Sequence, residues 1–196
     1  TEVFGPVLGL MAVADLDEAL AVQNAVDYGL TGGIHSLDPD EIDRWLDAVE
    51  VGNAYVNRGI TGAIVQRQPF GGWKRSSVGN GAKAGGPDYL LQLGTWAPRR
   101  DLAEVDTDDV AASDLEWWDG HYGVDRDPAG LFCEANVHRY RPHPDLIVRI
   151  GPGATTAEVA RVLAAAARCG VEPRVSRAAE EDDATFAGTL SAHRFG

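Results

Sequence analysis

Residues 38–57 leave this chain few folds to choose from. Asp38 stands where a helix N-cap belongs, Pro39 follows at the first helical position, and Glu41 has the spacing of a capping box. Ile42, Trp45, Leu46 and Val49 then recur at i, i+3, i+4 and i+7, an apolar stripe that needs a core to face. Gly52 closes the helix and 53–57 returns as a strand. The same pattern precedes it. The apolar run 3–13, broken at Gly5-Pro6 and Gly9, reads as a buried, bent strand. Asp15-Leu16-Asp17-Glu18 opens a helix with acids where its dipole favours them. Leu16, Ala19, Leu20, Ala25 and Val26 form its apolar face, Gly29 ends it, and 30–36 is a short strand. Alternation of this kind with short links predicts an α/β fold with a parallel βαβαβ layer. Ligands of such layers bind beyond the carboxyl ends of the strands.

The segment at that end, 62–86, carries seven glycines among 25 residues, four basic groups and no acid. Glycine lets backbone approach a ligand closely and adopt positive φ. The surroundings sharpen the contrast. The formal net charge is −13, divided as −10 over residues 1–53, +6 over 54–100 and −9 over 101–196. An acidic chain repels nucleic acid and anionic membrane surfaces, so neither is expected as a partner. A cationic island this short, with few aromatics, points to a small carboxylate or phosphate ligand. The competing reading makes Arg58, Arg67, Lys74, Arg75 and Lys83 solvated surface charges. No apolar run reaches the ~18 residues of a membrane span, and no signal peptide opens the chain, so a cytoplasmic location is the expectation. Thr1 and the uncapped Phe195-Gly196 read as cuts through a larger protein.

Further on, 89–93 reads as an isolated strand, suited to pairing with another chain's sheet edge. Residues 101–130 are acidic and read as loop or linker. From Leu146 a second βαβ unit is expected: a strand at 146–150, a Gly151-Pro152-Gly153 turn, a capping box of Thr155 and Glu158, and a stripe of Val159, Val162, Leu163 and Ala166. Gly170 ends this helix and 171–175 is the second strand. Its Gly-x-Gly lacks a third glycine, since Thr156 stands there, which favours structural use over dinucleotide binding. Cys133 and Cys169 suggest neither a disulfide framework nor a metal site, and the spacing of His121, Cys133, His138 and His143 matches no ligand pattern.

Two stretches resemble one family. Glu2-Val-Phe-Gly-Pro-Val-Leu8 is similar to the Glu-x-Phe-Gly-Pro motif of NAD(P)-dependent aldehyde dehydrogenases. Ile60-Thr-Gly-Ala-Ile-Val65, Gln68-Pro-Phe-Gly-Gly72 and Lys83-Ala-Gly-Gly-Pro87 resemble the subgroup that oxidises L-glutamate γ-semialdehyde, alone or as the C-terminal half of proline utilization A proteins. The resemblance covers about 1–98 as the end of a dehydrogenase catalytic domain with an oligomerisation strand, and it implies a homo-oligomer. It implies that Glu2 accepts hydrogen bonds from the nicotinamide ribose of NAD and that Phe4 lies beside the nicotinamide. A loop matching Thr61-Gly62-Ala63 would anchor the substrate carboxylate through backbone N–H groups, and Phe70 would pack on its methylene chain. Many members carry serine where Ala63 stands.

In the family an upstream cysteine thiolate attacks the aldehyde, hydride passes to NAD, and water hydrolyses the thioester. The residues matching that cysteine, its general base and the cofactor domain lie before the point matching Glu2, so this stretch alone is expected to be inactive and to hold no catalytic residue. FAD enters only if a proline-oxidising domain lies upstream. The part from Glu134-Ala-Asn136 onward resembles the extra C-terminal domain of longer proline utilization A proteins, a Rossmann-like relic tied to assembly. The expected division is therefore 1–98, a linker 99–143, and a partial Rossmann-like unit 144–196. The alternatives are a dehydrogenase for a different aldehyde and a non-catalytic assembly module.

Overall fold

The computed structural model describes residues 5–60, 62–65, 67–77, 79, 82–97, 107–143 and 145–177. Glu2, Phe4 and Thr61, singled out above, lie outside the described residues. The chain forms two compact units: one from 1–98 together with 128–136, the other from 99–127 and 137–196. The fold is α/β with small parallel sheets.

In the first unit, α1 (Leu16–Asn24) begins as expected, with Asp15 accepting a hydrogen bond from the Glu18 amide. It stops at Asn24 rather than reaching Gly29, which leaves Val26 exposed. The chain then turns into two short strands, β1 (Tyr28–Gly29) and β2 (Thr31–Ile34). Helix α2 (Pro39–Ala48) starts at Asp38 with Pro39 in its first turn. The anticipated capping box is not formed: Asp38 caps the Asp40 amide at 2.9 Å, and Glu41 accepts from the Ser36 hydroxyl at 2.6 Å. The Asp38 amide, which a capping box would give to Glu41, donates to the Ser36 hydroxyl instead at 3.0 Å.

The α2 stripe faces the core, with Trp45 and Val49 buried and Ile42 and Leu46 half-buried. Trp45 and Val49 are 2% and 1% exposed and pack with Leu20 of α1, with Leu16, Ile34, Leu46, Val51 and Val56 around them. Burial of each such side chain contributes roughly 1.5–3 kcal/mol. The Trp45 indole N–H donates to Gln23 Oε1 at 2.9 Å, so the ring is buried without an orphaned donor. Strand β3 (Asn53–Val56) lies parallel to β2, with Thr31 opposite Asn53 and Ile34 opposite Val56.

The expected five-element layer is thus reduced to the single crossover β2–α2–β3. Residues 5–13 form no strand: Gly5 sits at φ +137°, Pro6 has no N–H to offer a ladder, and the run exposes Val7, Leu8, Leu10 and Met11. A strand that sequence reading missed, β4 (Trp73–Lys74), pairs antiparallel with β1 and folds the glycine-rich segment back on the unit. The stretch Tyr89–Leu93 is a 3₁₀ turn, not a strand. With no described strand alongside it, its amides close back on the preceding turn, Tyr89 N–H onto Gly86 C=O and Leu91 N–H onto Asp88 C=O.

In the second unit, residues 107–122 of the acidic stretch expected as loop or linker are helical. Helix α3 (Thr107–Trp117) carries Asp108 and Asp109 in its first turn, where the dipole rewards negative charge, and runs into a π-turn at Trp118–Tyr122. The rings of Trp117, His121, Tyr122, His138 and Tyr140 gather there edge to face. The expected βαβ is present as β5 (Ile147–Ile150), α4 (Thr156–Arg168) and β6 (Arg174–Arg177), with β5 and β6 parallel. The second strand starts three residues later than its sequence implied. Thr155 and Glu158 form the full capping box, and its hydrogen bonds hold the Glu158 carboxyl below its usual range. Arg161 on α4 pairs with Asp114 on α3 at 2.6 Å.

Candidate functional site

The site grows from the carboxyl end of β3. Asn57, just past that strand, takes φ +55°, which asparagine tolerates. Its side chain accepts from the Ser36 amide at 3.0 Å and donates to the Ser36 carbonyl at 2.9 Å, so the ends of β2 and β3 are fastened together. The loop that follows reaches Gly62 at φ +121°, a conformation strained for any residue with a Cβ. The buried Tyr55 reaches out of β3 and donates its hydroxyl to the Gly62 carbonyl at 2.8 Å. Burial raises the Tyr55 pKa, with the Arg58 guanidinium over its ring opposing, so the donor stays protonated.

The amides of Gly62 and Ala63 meet no acceptor among the described residues, whereas the next amide, of Ile64, is taken by Gln68 Oε1 at 3.0 Å. The carbonyl of Ile64 in turn accepts from the amides of Arg67 and Gln68. Gly62 and Ala63 thus present two adjacent N–H groups without an acceptor among the described residues, as Gly59, Ile60 and Val65 also do, and successive free amides of this kind can receive an anion.

The basic groups are largely spoken for, which corrects the picture of a free cationic patch. Glu134 takes Arg58 at 2.8 Å and Arg67 at 3.5 Å, and Asn136 accepts from Gln68 at 2.8 Å while donating to Glu134 at 3.3 Å. One short segment, 134–136, thus holds both ends of the loop 58–68. Lys74 pairs with Glu50 at 2.5 Å and donates to the Asn24 and Val26 carbonyls, and Arg75 pairs with Asp27 at 3.1 Å. Neither reading from charge was complete. The cations are structural ties, and any anion would meet backbone dipoles first.

Phe70 sits on a second arm. Its amide and carbonyl exchange hydrogen bonds with Ala84, both at 3.0 Å. Asn53, the first residue of β3, holds this arm from the other side: its side chain donates to the Pro69 carbonyl at 3.0 Å and accepts from the Gly71 amide at 3.2 Å. Lys83 Nζ donates into the same seam, to the carbonyls of Gly52 and Gly71 and to Asn53 Oδ1. Burial draws its pKa down to about 8. Gly62, Ala63 and Phe70 are all half-buried on two arms rooted at opposite ends of β3. The sequence offered no sign of the roles of Asn53, Lys83, Tyr55 or Glu134.

The Gly151–Gly153 turn makes a poor dinucleotide cradle. The Thr155–Glu158 box takes up the Thr155 and Glu158 amides at the N-terminus of α4, so the protein's own side chains occupy part of that end. Cys133 and Cys169 are exposed free thiols, the latter at the C-terminal end of α4. Among the described residues no three His, Cys, Asp or Glu side chains cluster as metal ligands, and no helix is long and apolar enough to cross a membrane.

Residues 1–95 match the aldehyde dehydrogenase family. The 1-pyrroline-5-carboxylate dehydrogenase of Bacillus thuringiensis is 52% identical over 89 residues, 45% of this chain and 17% of that protein. Proline utilization A from Corynebacterium freiburgense matches in structure over 91% of this chain and 20% of that one, at 49% identity and a TM-score of 0.78. That likeness therefore runs into the second unit. The chain spans about a sixth of the length of the curated relatives it matches.

Proposed function

We propose, from the membership of residues 1–95 in the aldehyde dehydrogenase family, that this chain is the C-terminal part of an NAD-dependent dehydrogenase converting L-glutamate γ-semialdehyde to L-glutamate in proline breakdown. The observation that carries the substrate assignment is the pair of adjacent amides at Gly62 and Ala63, which have no acceptor among the described residues. Two N–H groups held in place by Tyr55, Gln68 and the 134–136 segment suit the α-carboxylate of an amino acid head. Phe70, half-buried on the other arm, would then pack on the methylene chain between head and aldehyde. A hydrogen bond to a charged acceptor is worth about 1.5–3 kcal/mol, so two decide between a charged and a neutral substrate.

NAD supplies the hydride acceptor. In this reading Glu2 receives the ribose hydroxyls and Phe4 borders the nicotinamide. The cysteine nucleophile belongs to a part of the enzyme preceding Glu2, and the stretch alone is inactive. The working enzyme is a cytoplasmic homo-oligomer, and residues 144–196 form a Rossmann-like unit serving assembly rather than catalysis.

The full-length enzyme is expected to turn over the semialdehyde far better than a neutral aldehyde of the same chain length. Preference for the neutral compound would defeat the assignment in favour of another aldehyde dehydrogenase subfamily. Phe70→Ala is expected to raise KM for the semialdehyde while KM for NAD stays within about twofold. Equal effects on both would show that the ring does not touch the substrate chain.

A further inference from the structure

We infer that Lys83 is a positioning residue for the substrate: its ammonium ties the start of β3 to the Phe70 arm and so sets where the aromatic ring stands relative to the Gly62–Ala63 amides. The inference rests on the function proposed above, but its evidence is separate. Lys83 Nζ reaches three oxygens that belong to two different segments, Gly52 O and Asn53 Oδ1 on one and Gly71 O on the other. The two segments are in close contact, since a Cβ at Gly52 would run into the Gly71 carbonyl oxygen and stand 2.6 Å from Gly72 Cα. A Cβ at Gly71 would lie 3.1 Å from Lys83 Cα, and Gly86 on the far side of Lys83 packs on Pro69. Carbonyl oxygens converge on the seam from both sides, and the lysine supplies the positive charge between them.

The charge belongs to this seam alone. Of the titratable groups on the elements packed there, Glu50 pairs with Lys74, Tyr55 donates to Gly62, and Asp88 has interactions of its own. Burial is the cause of the lowered Lys83 pKa, with no charged neighbour contributing. The ammonium has three N–H donors for the three acceptors. The neutral amine has two and no charge, so the tie weakens as the pH rises through about 8. Folding stability moves the other way. Between about pH 8 and 10.5 the unfolded chain holds more protons on this lysine than the folded one, so its contribution to stability increases with pH in that window. A loss of substrate affinity across pH 8 is therefore not a symptom of unfolding.

The test uses the full-length dehydrogenase as wild type, Lys83→Met and Lys83→Arg, assayed from about pH 7 to about pH 9.5 with the semialdehyde, a neutral aldehyde and NAD. The semialdehyde equilibrates with its cyclic imine, and taking the ratio of variant to wild-type KM removes that pH dependence. At about pH 7, Lys83→Met is expected to raise KM for the semialdehyde about tenfold, with the effect on KM rather than kcat and KM for NAD unmoved. The ratio then falls toward one above about pH 9, where the wild type has lost its own cation. Lys83→Arg, which cannot deprotonate in this range, abolishes the wild-type rise in KM and serves if the methionine variant fails to fold. A ratio that stays flat with pH, or an equal rise in KM for NAD, overturns the role of Lys83. A wild type that prefers the neutral aldehyde overturns the substrate assignment instead.

Discussion

Gly52→Ala is expected to destabilise the enzyme by about 3 kcal/mol, the upper end of what overpacking a closed site costs. Gly52 needs no unusual φ, so conformational freedom is not the reason. The reason is contact. A Cβ there would be driven into the Gly71 carbonyl oxygen and would stand 2.6 Å from Gly72 Cα and 2.7 Å from its carbonyl carbon. All three are backbone atoms, and both flanking segments are fixed, one in β3 and the other by Asn53 and Lys83. Relief therefore requires parting β3 from the Phe70 arm. Urea or thermal unfolding of the full-length protein gives the shift, and on the proposed function the surviving protein should also show a raised KM for the semialdehyde. A change within about 0.5 kcal/mol, the range of ordinary surface substitutions, would mean the seam is looser than described.

Removal of Glu134 should produce the largest kinetic change. Glu134→Ala leaves Arg58 and Arg67 facing each other without their shared carboxylate and frees both ends of the loop that carries Gly62 and Ala63. An exposed ion pair contributes at most about 1 kcal/mol. This one is better placed, because Glu134 is only 22% exposed, serves two guanidiniums, and is backed by the Asn136–Gln68 bond. KM for the semialdehyde is expected to rise roughly tenfold or more, with KM for NAD little changed. Glu134→Gln, which keeps one acceptor but no charge, should fall between. Improved affinity would have a definite meaning: the released guanidiniums would be binding the substrate carboxylate themselves, and the amides would not be its anchor.

What the sequence disclosed was local. The α2 stripe and the Thr155–Glu158 box are written in near-consecutive residues: the box forms because its partners lie within one turn, and the helical period puts the stripe on one face whatever that face meets. Gly52 was visible as a glycine, but reading it as a helix terminator missed its main constraint, the backbone of Gly71 and Gly72 pressed against it. The 3₁₀ turn at Tyr89–Leu93 was misread because apolar residues without a periodicity fit a strand equally well, and only a neighbouring strand decides between them. The candidate site was only partly legible. Gly62, Ala63 and Phe70 could be named from their motifs, whereas Glu134 lies 76 residues from Arg58 and nothing in a single sequence joins them. The basic island was real as composition. Its meaning changed once each charge was seen with its counterpart.

The order in which the chain builds its two units carries a practical lesson. Residues 128–136 belong with the first 98, yet they are flanked on both sides by residues of the other unit. No single truncation can therefore isolate the family-matched part intact. Stopping translation after residue 98 would discard Glu134 and Asn136 and leave Arg58, Arg67 and Gln68 without their tether. Anyone trimming the protein for expression would do better to graft 128–136 back through a linker than to cut where the family match ends.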